Sequence, residues 1–93
     1  MSDDIPDDAV SAAVPDDTLD ARGLLCPLPV LKTRKRLLSL PVGGVLEVTA
    51  TDPAARVDVP HFCGEQGHAL LSVRDTTGAD GAPELVFLLR RGG

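Results

Sequence analysis

Ninety-three residues make one domain's worth of chain, which excludes a multi-domain enzyme with its own large substrate cavity. Hydrophobic residues are 43% and charged residues 25%, ordinary for a globular protein, and no apolar run approaches the ~20 residues of a membrane span. Tyr and Trp are absent and Phe occurs twice, so the core must be aliphatic, and a chain this short buries only about 60–65% of its unfolded surface.

Charge is unevenly placed. Six of the 14 acids (Asp3, Asp4, Asp7, Asp8, Asp16, Asp17) fall within 1–17, which holds no Lys or Arg. The remaining chain carries eight acids against nine bases, a body charge of +1. Segment 1–17, with breakers Pro6 and Pro15, reads as a disordered acidic tail, and 18–93 as the folded domain. The N-terminus has no basic-then-apolar leader, so the expected compartment is cytoplasmic. The sequence leaves a Cys26–Cys63 disulfide open, but that compartment argues against it.

Thr18–Ala21 alternates and suggests a first strand, followed by a turn at Arg22-Gly23. Pro27–Leu40 is the clearest helix, with Val30, Leu31, Leu37 and Leu38 as its apolar face and Pro41 and Gly43-Gly44 as its stop. Val45–Thr51 is β-branched and apolar, a buried strand. Asp52-Pro53 and Asp58-Val59-Pro60 are both helix-entry pairs. They predict a turn, then a short helix over about Val59–Gln66 that ends at Gly67. Ala69–Asp75 and Glu84–Arg90 read as a hairpin joined through Thr76–Pro83. The order is β-α-β-α-β-β. Its simplest packing is an α+β two-layer sandwich, two helices on one face of a four-stranded mixed sheet.

The informative segment is Gly23-Leu24-Leu25-Cys26-Pro27-Leu28-Pro29. Cys26 sits where a helix is expected to begin, and a helix N-terminus favours an anion. Pro27 suits the first helical position, and Pro29 removes a further N–H. Leu28 would then be the chief donor left for the sulfur. Arg22 offers positive charge nearby. Together these predict an exposed Cys26 with a modestly lowered pKa. A Cys-x-x-Cys oxidoreductase needs a resolving thiol three residues on, where Pro29 stands. The plainer alternative is a small buried Cys before a proline-started helix.

Cys63 falls on an apolar face with Val59, Phe62 and Leu70, so it reads as core. His61 and His68 are isolated, and with Cys63 they give no zinc spacing, so no metal is expected. No phosphate loop or aromatic platform for single-stranded nucleic acid is present. Lys32, Arg34, Lys35 and Arg36 form a basic run on the first helix. Arg34 lies between apolar positions, where it either snorkels at the core edge or rims a partner-docking patch.

These residues resemble the TusA/SirA-like sulfur carriers, small cytosolic sulfurtransferases. The match runs from Thr18 to Gly93. It includes Leu19-Asp20-Ala21-Arg22-Gly23-Leu24, the motif Cys26-Pro27-Leu28-Pro29, and Thr51-Asp52-Pro53-Ala54. Asp58-Val59-Pro60-His61-Phe62-Cys63 and Arg91-Gly92-Gly93 complete it. The resemblance implies a sandwich like the C-terminal domain of translation initiation factor three, with Cys26 bearing a persulfide and no cofactor. It implies a cysteine desulfurase or rhodanese as donor and a DsrE/TusD-like cysteine protein as acceptor. The pathways it implies are tRNA thiolation, sulfur oxidation or molybdenum cofactor assembly; the +1 body charge, the missing aromatics and the lack of a long apolar run predict no direct contact to nucleic acid or membrane. The acidic tail is outside the family pattern. Arg22 and the basic helix would favour anionic states and dock partners.

Two rivals remain open. A ubiquitin-like carrier would use Gly92-Gly93 as a thiocarboxylate, although a β-grasp begins with a hairpin and this chain begins strand-helix. A regulatory or RNA-binding module of the same fold is the other, disfavoured by the +1 body charge and the missing aromatics.

Overall fold

The computed structural model describes residues 14–93, so the tail reading for 1–13 lies outside the described residues. The order is β1 (Asp17–Ala21), α1 (Leu28–Leu38), β2 (Val45–Ala50), α2 (Ala55–Gln66), β3 (Ala69–Thr77) and β4 (Pro83–Arg90). The sheet runs β1-β2-β4-β3, with β1 and β2 parallel and the other pairs antiparallel. This is the two-layer α+β sandwich that the patterning predicts.

The register builds the core. Leu19 pairs with Val48, Val48 with Phe87, and Phe87 with Val73, so one row crosses all four strands. Leu46, Leu89, Val59 and Leu37 join Val48 and Phe87 as fully buried side chains. With two aromatic residues in the chain, aliphatic burial carries the stability.

β1 starts at Asp17, so the expected boundary at residue 18 falls inside a strand. Asp16 also belongs to the fold: its N–H donates to the Val45 carbonyl, and its carboxylate accepts the Val45 N–H, both at 2.8 Å.

α1 is rotated from the face expected of it. Its buried residues are Pro29, Thr33 and Leu37, spaced i, i+4, i+8. Val30 and Leu40 pack partly against the core, while Leu31 (53% exposed) and Leu38 (47%) point outward. Hydropathy misplaces the stripe because two of its members are not apolar aliphatics. Pro29 stands at the second helical position, where its missing N–H has no partner to lose. Thr33 is 0% exposed, and its hydroxyl donates to the Pro29 carbonyl at 2.6 Å, so it buries no unsatisfied group. Arg34 therefore does not snorkel into the core; it is exposed.

α2 begins four residues before the expected Val59. Ala54 is the N-cap and has no side-chain cap, and the residue that braces this helix entry is Asp52 and not Asp58. Asp52 Oδ1 accepts the Ala54 N–H at 3.0 Å and its carbonyl accepts the Ala55 N–H at 3.0 Å. Asp58 and Pro60 are consequently inside the helix. Gly67 ends it in the left-handed conformation (φ 75°), as expected.

The last residues close over this helix end. The Gly92 N–H donates to His68 Nδ1 at 2.9 Å. A Cβ on Gly92 would lie 1.8 Å from the Gly67 carbonyl oxygen, so only glycine fits. Arg91 caps α1 from the same segment, donating to the Leu38 carbonyl at 3.3 Å and to that of Leu40. Burial first, and the Arg91 charge second, hold His68 below its ordinary value of 6.5. Protonated imidazole cannot accept the Gly92 N–H. The bond's contribution of about 1 kcal/mol is therefore present above pH ~6.5 and lost as pH falls through the lowered folded-state value. Urea unfolding at pH 7.5 and pH 5 should show this loss, and His68→Ala should remove the difference this group makes.

Candidate functional site

The loop from Arg22 to Pro27 lies beyond the carboxyl ends of the parallel strands β1 and β2, where open sheets commonly place their sites. Two bonds peg it to the end of β2. The Gly23 N–H donates to Thr51 Oγ1 at 2.8 Å, and the Cys26 N–H donates to Asp52 Oδ2 at 2.7 Å. Asp52 thus joins two segments, since its other oxygen accepts the Ala54 N–H just before α2. These backbone donors hold its carboxyl below the ordinary carboxylate value. Gly23 has φ +80°, a turn geometry that a side chain would strain.

Cys26 is exposed, not buried before the helix as the plainer alternative had it, and it is a free thiol. It opens onto a cleft of about 230 Å³ between the two helices. Pro27, Val30 and Phe62 make an apolar floor, and Asp58, His61 and Glu65 stand along α2. Their spacing of i, i+3, i+7 puts them on one helix face. His61 Nε2 lies 3.3 Å from Glu65 Oε1.

The electrostatics reverse the expectation of a lowered thiol pKa. Cys26 is pushed above its ordinary value. The Asp58 carboxylate favours the protonated thiol by hydrogen bonding. Desolvation and the charges of Asp58 and Asp52 act in the same direction. Two supports assumed from sequence are absent. Pro27 is the N-cap and not the first helical residue, and the Leu28 N–H donates to the Leu25 carbonyl at 2.8 Å, so it is not offered to the sulfur. Arg22 is held by Asp20 at 2.9 Å and lies 3.6 Å from Glu84. Its positive charge is engaged there and not at Cys26.

The other basic residues divide. Arg36 donates to Asp17 at 3.2 Å and to the Thr18 carbonyl at 3.0 Å, tying α1 to β1. Lys32, Arg34 and Lys35 are exposed on α1 and do not line the cleft. Leu28 is 44% exposed, and Pro29 faces the core. Of the residues proposed from sequence for the site itself, the structure brings only Cys26 and Pro27 to the cleft.

Asp52, Asp58, His61 and Glu65 were missed as neighbours of the sulfur. Asp52-Pro53 is legible as a local cap, but its second bond spans 26 residues. The spacing of Asp58, His61 and Glu65 is visible once the helix is extended upstream to Ala55.

Cys63 is 2% exposed on the buried side of α2, and burial pushes its thiol up to about 11. It is free, so no disulfide links the two cysteines. Iodoacetamide under native conditions should label Cys26 about 10²-fold faster or more than Cys63, because Cys63 reacts only when the helix opens. The Cys26 rate should also keep rising through pH 8 without levelling off, as expected of a thiol that the Asp58 carboxylate holds above its ordinary value. Equal labelling rates, or a plateau near pH 7, would contradict this geometry.

A family model described as sulfurtransferase TusA matches residues 17–87. The sulfur carrier protein TusA of Pseudomonas entomophila is 51% identical over 63 residues, which cover 68% of this chain and 79% of that protein. That of Pseudomonas putida is 47% identical over 64 residues, 69% of this chain and 80% of the other. Among solved structures, a SirA-like protein from Desulfitobacterium hafniense superposes with a TM-score of 0.57 at 26% identity, covering 77% of this chain and 95% of its own. With a family match across β1 to β4 and relatives near half identity, the chain belongs to the TusA sulfurtransferase family.

Proposed function

We propose that the protein is a sulfur-relay carrier that holds sulfane sulfur as a persulfide on Cys26. The observation that carries the reading is an exposed free thiol at an open cleft, with the second thiol buried. A partner's sulfur can reach Cys26 directly, and a persulfide formed there has no neighbouring thiol to collapse it to an internal disulfide.

The transfer balances without a cofactor. The Cys26 thiolate attacks the outer sulfur of a donor persulfide, the donor's S–S bond breaks, and the donor cysteine leaves as a thiolate. An acceptor thiolate then attacks the outer sulfur on Cys26 and releases the Cys26 thiolate. No net oxidation occurs, because one sulfur atom moves between thiols. The raised pKa slows the first attack at neutral pH by lowering the thiolate fraction. It also makes that thiolate intrinsically more nucleophilic.

A cysteine desulfurase or rhodanese is the proposed donor and a DsrE/TusD-like cysteine protein the proposed acceptor, in a reducing cytoplasm. The relatives' name as sulfur carriers supports this class of role. Among the described residues, no helix is long and apolar enough to cross a membrane. The thiocarboxylate rival fits poorly with the Gly92 contacts, since that glycine lies against the Gly67 carbonyl and is bonded to His68. The test is incubation with a cysteine desulfurase and free cysteine, followed by intact-mass measurement. The protein should gain one sulfur, and a reductant should remove it.

A further inference from the structure

The charge around the reacting sulfur is negative. Asp58 and Glu65 stand on the α2 wall of the cleft. Asp52 holds the Cys26 N–H from the other side. Among the described residues no Lys or Arg lines the cleft. The remaining titratable group there is His61, which leans on Glu65 at 3.3 Å. Arg22, the cation nearest in sequence, is held by Asp20 and Glu84.

We propose that this cleft selects its sulfur partners by charge, seating a cysteine-bearing segment that carries a Lys or Arg beside the reacting sulfur. The inference deepens the carrier reading and rests on it for the reaction that the partner brings. Two features of the cleft fit such a side chain. Its apolar floor of Pro27, Val30 and Phe62 suits the aliphatic stem, and the carboxylates of Asp58 and Glu65 suit the cationic head. Sulfur-to-sulfur attack also brings a second anionic sulfur toward these carboxylates. A cation on the incoming segment offsets that repulsion, whereas an acidic segment adds to it.

Small symmetric disulfides isolate the effect. Cystamine carries two ammonium groups, 2-hydroxyethyl disulfide is neutral, and dithiodipropionate carries two carboxylates. In each case the Cys26 thiolate attacks one sulfur, the probe's S–S bond breaks, half of the probe leaves as a thiolate, and Cys26 keeps the other half as a mixed disulfide. No outside oxidant enters. The ionised fraction of Cys26 is common to all three reactions and cancels in their ratio. Dividing each rate by that of a neutral cysteine peptide removes the probes' own reactivity.

At low ionic strength the full chain should prefer cystamine over dithiodipropionate by about tenfold after this correction. At ~1 M salt, where the Debye length is ~3 Å, the preference should fall to about twofold or less. Asp58→Asn and Glu65→Gln should each reduce it, and the double variant should approach parity. Glu65 is exposed, so Glu65→Gln alone reports on the cleft if Asp58→Asn fails to fold. Equal rates for the two charged probes, or faster reaction with dithiodipropionate, would overturn the inference. So would a preference that survives in the double variant, because the negative charge left elsewhere on the chain would then be its source. The probes carry no sulfane sulfur. A chain that fails to load sulfur from a desulfurase yet discriminates by charge loses the carrier reading and keeps this selectivity. A chain that loads sulfur without discriminating does the reverse.

Discussion

Cys26→Ser is expected to abolish the one-sulfur mass gain completely. Serine keeps the size and the backbone N–H, so the bond to Asp52 survives and the loop stays in place. What disappears is the atom that forms the S–S bond. The chain's other sulfur nucleophile, Cys63, cannot substitute, because its thiol is buried and pushed up to about 11. Cys63→Ala should therefore load sulfur like the parent chain, as should a chain lacking Gly93. The pattern across these three variants is diagnostic. If Cys26→Ser still gains sulfur while loss of Gly93 prevents it, the sulfur sits on a terminal thiocarboxylate and the persulfide reading fails. If Cys63→Ala alone abolishes loading, the carrier thiol has been misassigned.

The fold was legible because each element announces itself by local means. A β-branched run marks β2, an apolar run marks β4, Gly67 stops α2, and a Gly/Pro-rich link joins β3 to β4. The exposed Cys26 was legible too, since a proline-flanked cysteine at a helix entry is an arrangement for presentation rather than packing. The environment of its sulfur was not. A carboxylate's effect on a thiol depends on distance in space, and Asp58 is 32 residues from Cys26 in the chain. Arg22, four residues away, looked like the natural partner, yet Asp20 lies closer and forms two bonds with its side chain. The face of α1 was misjudged for a related reason. Hydropathy counts Leu31 and Leu38 as core and Thr33 as surface. The sheet instead takes the stripe whose one polar member satisfies its own hydroxyl. Local signals identified the elements, and tertiary contacts decided which side chains meet.

Phe87→Ala should leave the domain barely folded, and its clearest sign should appear at Cys63. Phe87 is 0% exposed at the middle of β4, paired with Val48 on one side and Val73 on the other. It belongs to the same core as Leu37 of α1 and as Val59 and Cys63 of α2. Truncating a buried Phe costs about 3–5 kcal/mol, from lost transfer energy and the cavity left behind. A domain of this size has roughly 5–10 kcal/mol in total, so about half of its stability goes at once. The sheet pairings are backbone bonds and persist, but the seat of both helices loosens. The open state that exposes Cys63 then rises in population by more than 10²-fold, since each 1.4 kcal/mol is about a factor of ten. Native alkylation should label Cys63 at a rate approaching that of Cys26, which is exposed before and after the change. A melting curve should show the same loss as a fall in Tm of more than 10 °C, about 4–8 °C for each kcal/mol. Unchanged protection of Cys63 would mean that the two helices are held without this side chain, and that the row from Leu19 to Val73 is not the support on which the cleft rests.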